Sequence, residues 1–294
     1  MKDHLIKATA NGIRVYAAVT TNLVDEAVQR HQCYPTAAAA LGRTMTGALL
    51  LSSNLKSKEC ITVKFSGDGP LGKIVADASS DGFVRGYVDN PKADLPLHEG
   101  KLAVGAGVGQ GLVSVTRFTG LKEPISGSCE IVTGEIAEDL TQYLYVSEQT
   151  PSSIGLGVLV DKDLKVIAAG GFFIQPLPDV EDSALDQLEA NLQQLRPVSQ
   201  MVQEGLDGKG IVAEIFSGME INYLETLDLA FKCQCSRQRI EEVLMSLGEE
   251  DLQSLCEDGK AEVCCHFCGE KYQFSGEEIE ALLAVSKKLA AMGK

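Results

Sequence analysis

Short runs in which apolar and polar residues alternate fill much of the first part of the chain. "NGIRVYAAVT", "CITVKFSG", "GKIVADAS", "GFVRGYVD" and "LVSVTRFTG" are rich in β-branched and aromatic residues and are bounded by Gly, Asp or Pro, which predicts strands joined by turns. Between them the period changes. "TNLVDEAVQRHQ" reads as a helix with Thr21 or Asn22 as its cap, Pro35 opens an alanine-rich helix, and "EIAEDLTQYLYVSEQ" has helical spacing. "SIGLGVLVDKDLKVIAAGGFFIQPLP" reads as a hairpin turning near Lys162–Asp163. Helices and antiparallel strands together predict an N-terminal α+β domain over residues 1–178.

The pattern then becomes helical. Leu185, Leu188, Leu192 and Leu195 share one face, and the Arg196–Pro197 step ends that helix. Val198, Met201 and Val202 mark a second short segment; Ile211, Val212, Ile215 and Phe216 mark a third. Amphipathic helices this short need a surface to cover, so residues 179–230 are expected to form a helical linker packed on the first domain. The last part, 231–294, is expected to be a small domain of its own. Ser236 is placed to cap a helix bearing Ile240, Val243, Leu244 and Leu247, stopped by Gly248. "EEDLQSLCED" predicts another helix, "AEVCCHFCGEKYQF" a hairpin with cysteines at its tip, and Ser275 with Glu278 a capping box for the final helix.

At 294 residues with 45% hydrophobic and 23% charged, the composition is globular, and no internal repeat or low-complexity segment interrupts it. A net charge of −15 works against phosphate backbones and anionic membranes. The one span-like stretch, "TAAAALGRTMTGALLLSSNL", carries Arg43, two glycines and several hydroxyls, so a buried helix is expected rather than a membrane span. "MKDHLIKATA" has no signal-peptide character, and the expected location is the cytoplasm. Thiols there stay reduced, so clustered cysteines read first as metal ligands or redox centres.

Five of nine cysteines fall in "FKCQCSRQRI" and "VCCHFCGEKY". Cys233 and Cys235 are one residue apart, Cys265 and Cys268 two, and the spacer between the pairs can fold back. Two close pairs are what a tetrahedral Zn2+ site with four thiolate ligands needs, and Gly269 permits a tight turn beside the second pair. Cys264 could replace Cys265, but neighbours in a hairpin point to opposite faces, and the two-residue gap fits better. Cys256, Cys33, Cys60 and Cys129 read as packing residues. "CHFC" precedes a strand-like stretch and not a helix, which weakens a thiol–disulfide oxidoreductase reading. "GDGPLG" has Gly-x-Gly-x-x-Gly spacing but strands follow it, so a hairpin turn is expected and no dinucleotide site. No phosphate-binding loop or nucleophile–histidine arrangement is recognisable, and no enzyme is expected. A zinc-ribbon nucleic-acid binder would need a basic surface, yet Thr226–Lys294 carries eight Lys+Arg against thirteen Asp+Glu, a net −5.

A segment of this size has little core, so zinc would supply much of its folding free energy, on the order of 10 kcal/mol in small peptides. Such a site is a staple or a switch; the residues alone leave both open. The succession "GDGPLG", "VRGYV", "SEQTPSSIGLGV" and "FKCQCSRQRI…CHFCGEKYQF" closely resembles the redox-regulated heat-shock chaperones called 33 kDa chaperonins, over essentially the whole chain. The resemblance implies an ATP-independent holdase, inactive while reduced and zinc-bound. Oxidation would form disulfides Cys233–Cys235 and Cys265–Cys268, release zinc and favour an active homodimer. Partners would be unfolded client proteins and, downstream, ATP-driven foldases, with no nucleic acid and no membrane. Cys264 departs from the family's usual pattern.

Overall fold

The computed structural model describes residues 1–292 and divides into two compact units, Met1–Lys232 and Cys233–Lys294. The first unit begins with β1 (His4–Ala10), β2 (Ile13–Val19), α1 (Thr21–His31) and α2 (Pro35–Ser52). Next come β3 (Cys60–Gly67), β4 (Lys73–Ser79), β5 (Phe83–Val88), α3 (Val104–Val108), β6 (Gly111–Phe118) and β7 (Ile125–Glu130). It continues with α4 (Ile136–Glu148), β8 (Ser153–Val160) and β9 (Val166–Pro176). The unit closes with α5 (Asp182–Gln194), α6 (Val198–Gln203), α7 (Gly208–Ile215), β10 (Asn222–Asp228) and β11 (Ala230–Phe231).

Two sheets result, a five-stranded one in the order β10-β1-β2-β9-β8 and a six-stranded one in the order β11-β5-β4-β3-β6-β7. All pairings are antiparallel except β11 with β5. Helix α2 packs on β4 and β5 of one sheet and on β8 and β9 of the other. Its alanines, Ala37 to Ala40, are fully buried, because only small side chains let a helix sit this close to strands on two sides. The span-like stretch is therefore a core helix, and among the described residues no helix is long and apolar enough to cross a membrane. The other face of the five-stranded sheet presents Ile13, Val15 and Ala17, and α5–α7 cover it with Leu188, Met201, Ile211, Val212 and Ile215.

Several elements differ from expectation. The alternation in "HLIKATA", "ISGSCE" and "NYLETLD" is too weak to announce β1, β7 and β10, yet β1 pairs with β2 and β7 with β6 along their whole lengths, and β10 pairs with β1 around a register shift at Leu224. Helix α1 is not capped by its own Thr21 or Asn22. Asp3, 4% exposed, reaches over from the chain start and accepts hydrogen bonds from the N–H groups of Asn22 (3.1 Å) and Leu23 (2.6 Å). "GDGPLG" is the β3–β4 turn, and its glycines serve packing. A Cβ on Gly67 would stand 1.9 Å from the Val108 carbonyl oxygen and one on Gly69 2.3 Å from that of Gly107, so the α3 segment lies directly against the turn.

The second unit holds α8 (Arg237–Ser246), α9 (Glu249–Glu257), β12 (Lys260–Cys264), β13 (Lys271–Ser275) and α10 (Gly276–Met292). Ser236 caps α8 by accepting from the Arg239 N–H at 3.2 Å. In the capping box of α10, Glu278 accepts from the Ser275 N–H (2.8 Å) and Ser275 Oγ from the Glu278 N–H (3.3 Å). Leu244, Leu252, Phe274 and Ile279 form the core of this unit, flanked by half-buried Ile240, Cys256 and Tyr272. Val243 and Leu247, expected on the buried face of α8, are exposed, since so small a core leaves room for one stripe of that helix.

Candidate metal centre

The first cysteine pair lies in the extended segment just before Ser236, and the second lies in the turn between β12 and β13. Backbone bonds shape that turn: Cys265 N–H donates to the Glu270 carbonyl and Gly269 N–H to the Cys265 carbonyl, both at 2.8 Å. Gly269 sits at φ +72°, the left-handed region where glycine is unstrained, which lets the chain double back within four residues. Cys265 and Cys268 then point to one side.

Cys233, Cys235, Cys265 and Cys268 come together, with all four sulfurs within 4.8 Å of one another. Two approaches run between the pairs, Cys233 to Cys265 at 3.7 Å and Cys235 to Cys268 at 3.4 Å. A tetrahedron with metal–sulfur bonds near 2.3 Å has edges of about 3.8 Å, whereas a disulfide needs about 2.05 Å. The spacing thus suits four sulfurs sharing one cation. Burial pushes the Cys265 and Cys268 thiols above their ordinary value, partly offset by backbone N–H groups of Phe267 and Cys268 aimed at Cys265 and of Glu270 aimed at Cys268. Crowded thiols resist ionising together, and a divalent ion reverses that preference by supplying the opposite charge. Donor type, number and spacing fit a soft or borderline metal ion.

The remaining cysteines stand apart from this cluster. Cys264 is exposed, its Sγ turned toward the Gly269 carbonyl at 3.5 Å and away from the four. Cys33 is buried in the first unit, and burial pushes its thiol up to about 12; Cys60 and Cys129 are raised by burial too, so none is a ready thiolate. One contact no local sequence rule announces. The Tyr272 hydroxyl on β13 donates to Cys235 Sγ at 3.2 Å.

Fold and site define an α+β protein with a thinly cored second unit whose four gathered cysteines could hold a metal ion. The family model described as Hsp33 protein matches residues 3–275. The chain belongs to the Hsp33 family, the 33 kDa chaperonins. The 33 kDa chaperonin of Desulforamulus reducens is 47% identical over 287 residues, covering 96% of this chain and 98% of the relative. That of Bacillus subtilis is 47% identical over 285 residues, covering 95% and 98%. The crystal structure of the 33 kDa chaperonin (heat shock protein 33 homolog) from Thermotoga maritima superimposes with a TM-score of 0.90 at 36% identity, covering 97% of this chain and 99% of that one.

Proposed function

We propose that this protein is a redox-regulated, ATP-independent holdase in which Cys233, Cys235, Cys265 and Cys268 hold one Zn2+ as four thiolates. The gathering of four sulfurs within 4.8 Å, in a unit whose core rests on four buried side chains among the described residues, carries the reading. Bound zinc supplies a clamp between the strand-turn pair and the segment before α8, and the unit's fold depends on it. With a peroxide as oxidant, one thiolate attacks an oxygen atom, the O–O bond breaks, and a sulfenic acid and hydroxide result. A neighbouring thiolate displaces a second hydroxide from that sulfur and closes a disulfide, two electrons having passed to the peroxide. Two such rounds give Cys233–Cys235 and Cys265–Cys268, and disulfide sulfur no longer holds the ion.

In this scheme the chain works in three parts, a core domain (1–178), a helical linker (179–230) and the zinc-binding switch (231–294). Loss of the switch fold loosens the linker, and the apolar faces it shares with the five-stranded sheet become available to unfolding clients. The active form is a homodimer in the cytoplasm. Clients pass on to ATP-driven foldases, and neither nucleic acid nor turnover of a substrate is involved.

Light scattering of a chemically unfolded client tests this. Oxidised, metal-depleted protein should suppress aggregation at mild heat and reduced, zinc-loaded protein should not. Equal suppression by both forms would make the zinc a staple in a constitutive binder. Disulfide turnover in an insulin-reduction assay, without suppression, would replace the holdase with an oxidoreductase.

A further inference from the structure

Tyr272 joins two things that are otherwise separate in the second unit. Its ring is half-buried against the core of Leu244, Leu252, Phe274 and Ile279, and its hydroxyl donates to Cys235 Sγ at 3.2 Å. Cys265 and Cys268 receive donors from the backbone of their own turn. Cys235 lies in the extended segment before α8 and takes its hydrogen bond from a side chain on another element. A hydrogen bond to a thiolate is charge-assisted, fixes the sulfur's orientation and occupies a lone pair that would otherwise attack an oxidant.

We propose that Tyr272 is a positioning residue of the sulfur centre, whose hydroxyl both aims Cys235 Sγ at the shared ion and restrains that sulfur's reaction with peroxide. The proposal rests on the zinc-switch reading and adds a regulator to it. The rate at which Cys235 reacts is set by a phenol on β13 as well as by the ion. A tyrosine that merely filled the core would leave that rate unchanged when its oxygen is removed, because the ring supplies the packing.

The experiment uses the full zinc-loaded chain in three versions: parent, Tyr272→Phe, and a chain with 3-fluorotyrosine at position 272, which keeps the hydroxyl as a stronger donor. Zinc release under peroxide is followed with a chromophoric chelator at a temperature where all three are folded. Alkylation of Cys235 by N-ethylmaleimide is followed by mass spectrometry of its peptide. Both rates should rank phenylalanine above tyrosine above fluorotyrosine, the first step by roughly three- to tenfold, the net worth of one ordinary hydrogen bond. Zinc affinity by chelator competition should fall in Tyr272→Phe. Equal rates across the three would overturn the role of Tyr272 while leaving the switch intact. A parent that keeps its zinc in peroxide would instead sink the switch, and the alkylation series would still decide the role of the hydroxyl. If Tyr272→Phe fails to fold, the parent and fluorotyrosine chains alone must differ in that order or the proposal fails.

Discussion

Cys264 and Cys265 are adjacent, chemically identical and opposite in placement. β12 ends at Cys264, so the alternation of a strand sends its sulfur outward, while the turn that follows carries the Cys265 sulfur into the cluster. Cys264→Ser is expected to keep one equivalent of zinc and Cys265→Ser to lose it, by metal analysis of the purified proteins; the reverse result would exchange the two assignments. Asp3 is a residue-scale case of a different kind. Desolvation raises its carboxyl above 3.8 in spite of the N–H donors of Leu23 and Asn22. A carboxyl with a raised folded pKa takes up a proton on folding in the interval between its unfolded and folded values. Its contribution is therefore greatest below the unfolded value and declines as pH rises through the folded one. Asp3→Ala leaves two helix N–H groups without their acceptor and should cost about 1–3 kcal/mol in urea unfolding, with the larger cost at acid pH. A cost that grows toward neutral pH would mean that the charged carboxylate, and not the buried protonated one, is the better cap. The cysteine spacing made the four-sulfur cluster legible because its members come in local pairs. The Asp3 cap and the Tyr272 contact were not legible, since each joins positions far apart in sequence.

At the scale of elements, what could be read from alternation was read where a strand has one buried face. β3 and β5 bury every second side chain on the α2 side, β4 buries Ile74, Ala76 and Ala78 there, β6 buries Val113 and Val115, and each announces itself. β7 and β10 are the outer strands of their sheets, with mostly exposed side chains, and such strands need no apolar face to pair. "GDGPLG" shows the same division. Its turn was evident from the strands on either side, but the need for glycine arises from α3, a five-residue helix in a glycine-rich stretch with no periodic signal. Gly67→Ala would drive a Cβ into the Val108 carbonyl at 1.9 Å, a backbone atom that cannot swing aside. The α3 segment should lift off the turn at a cost of about 3 kcal/mol, read as a lowered urea midpoint. A variant of unchanged stability would show that this segment has no fixed seat on the turn. Glycine here is explained by packing, and the nucleotide-like spacing is incidental.

The two units differ in what can hold them together, and the difference sets the behaviour of the whole molecule. The first buries two extended clusters, one around α2 and one beneath α5–α7, with complete sheets on both sides. Among its described residues the second has a core cluster of four buried apolar side chains, a two-stranded hairpin and helices of nine to seventeen residues. Helices of this length are marginal without tertiary support, and a core this thin offers little. Ion pairs such as Arg237 with Glu278 (2.6 Å) and Lys271 with Glu262 (2.8 Å) join partners that are about half exposed and add little. With the proposed zinc bound, the four-sulfur centre would be the main support of the second unit, and removing that ion should unfold that unit alone. A strong chelator under reducing conditions, followed by limited proteolysis, should leave a resistant fragment ending in the region of Lys232 while the peptides of α8–α10 disappear. Re-adding zinc before the protease should restore the full-length band. Persistence of an intact second unit without the ion would mean that its small core folds unaided, and oxidation of the cysteines could then no longer act by unfolding it. Loss of both units together would mean that the first depends on the second, and the switch would act on the whole chain.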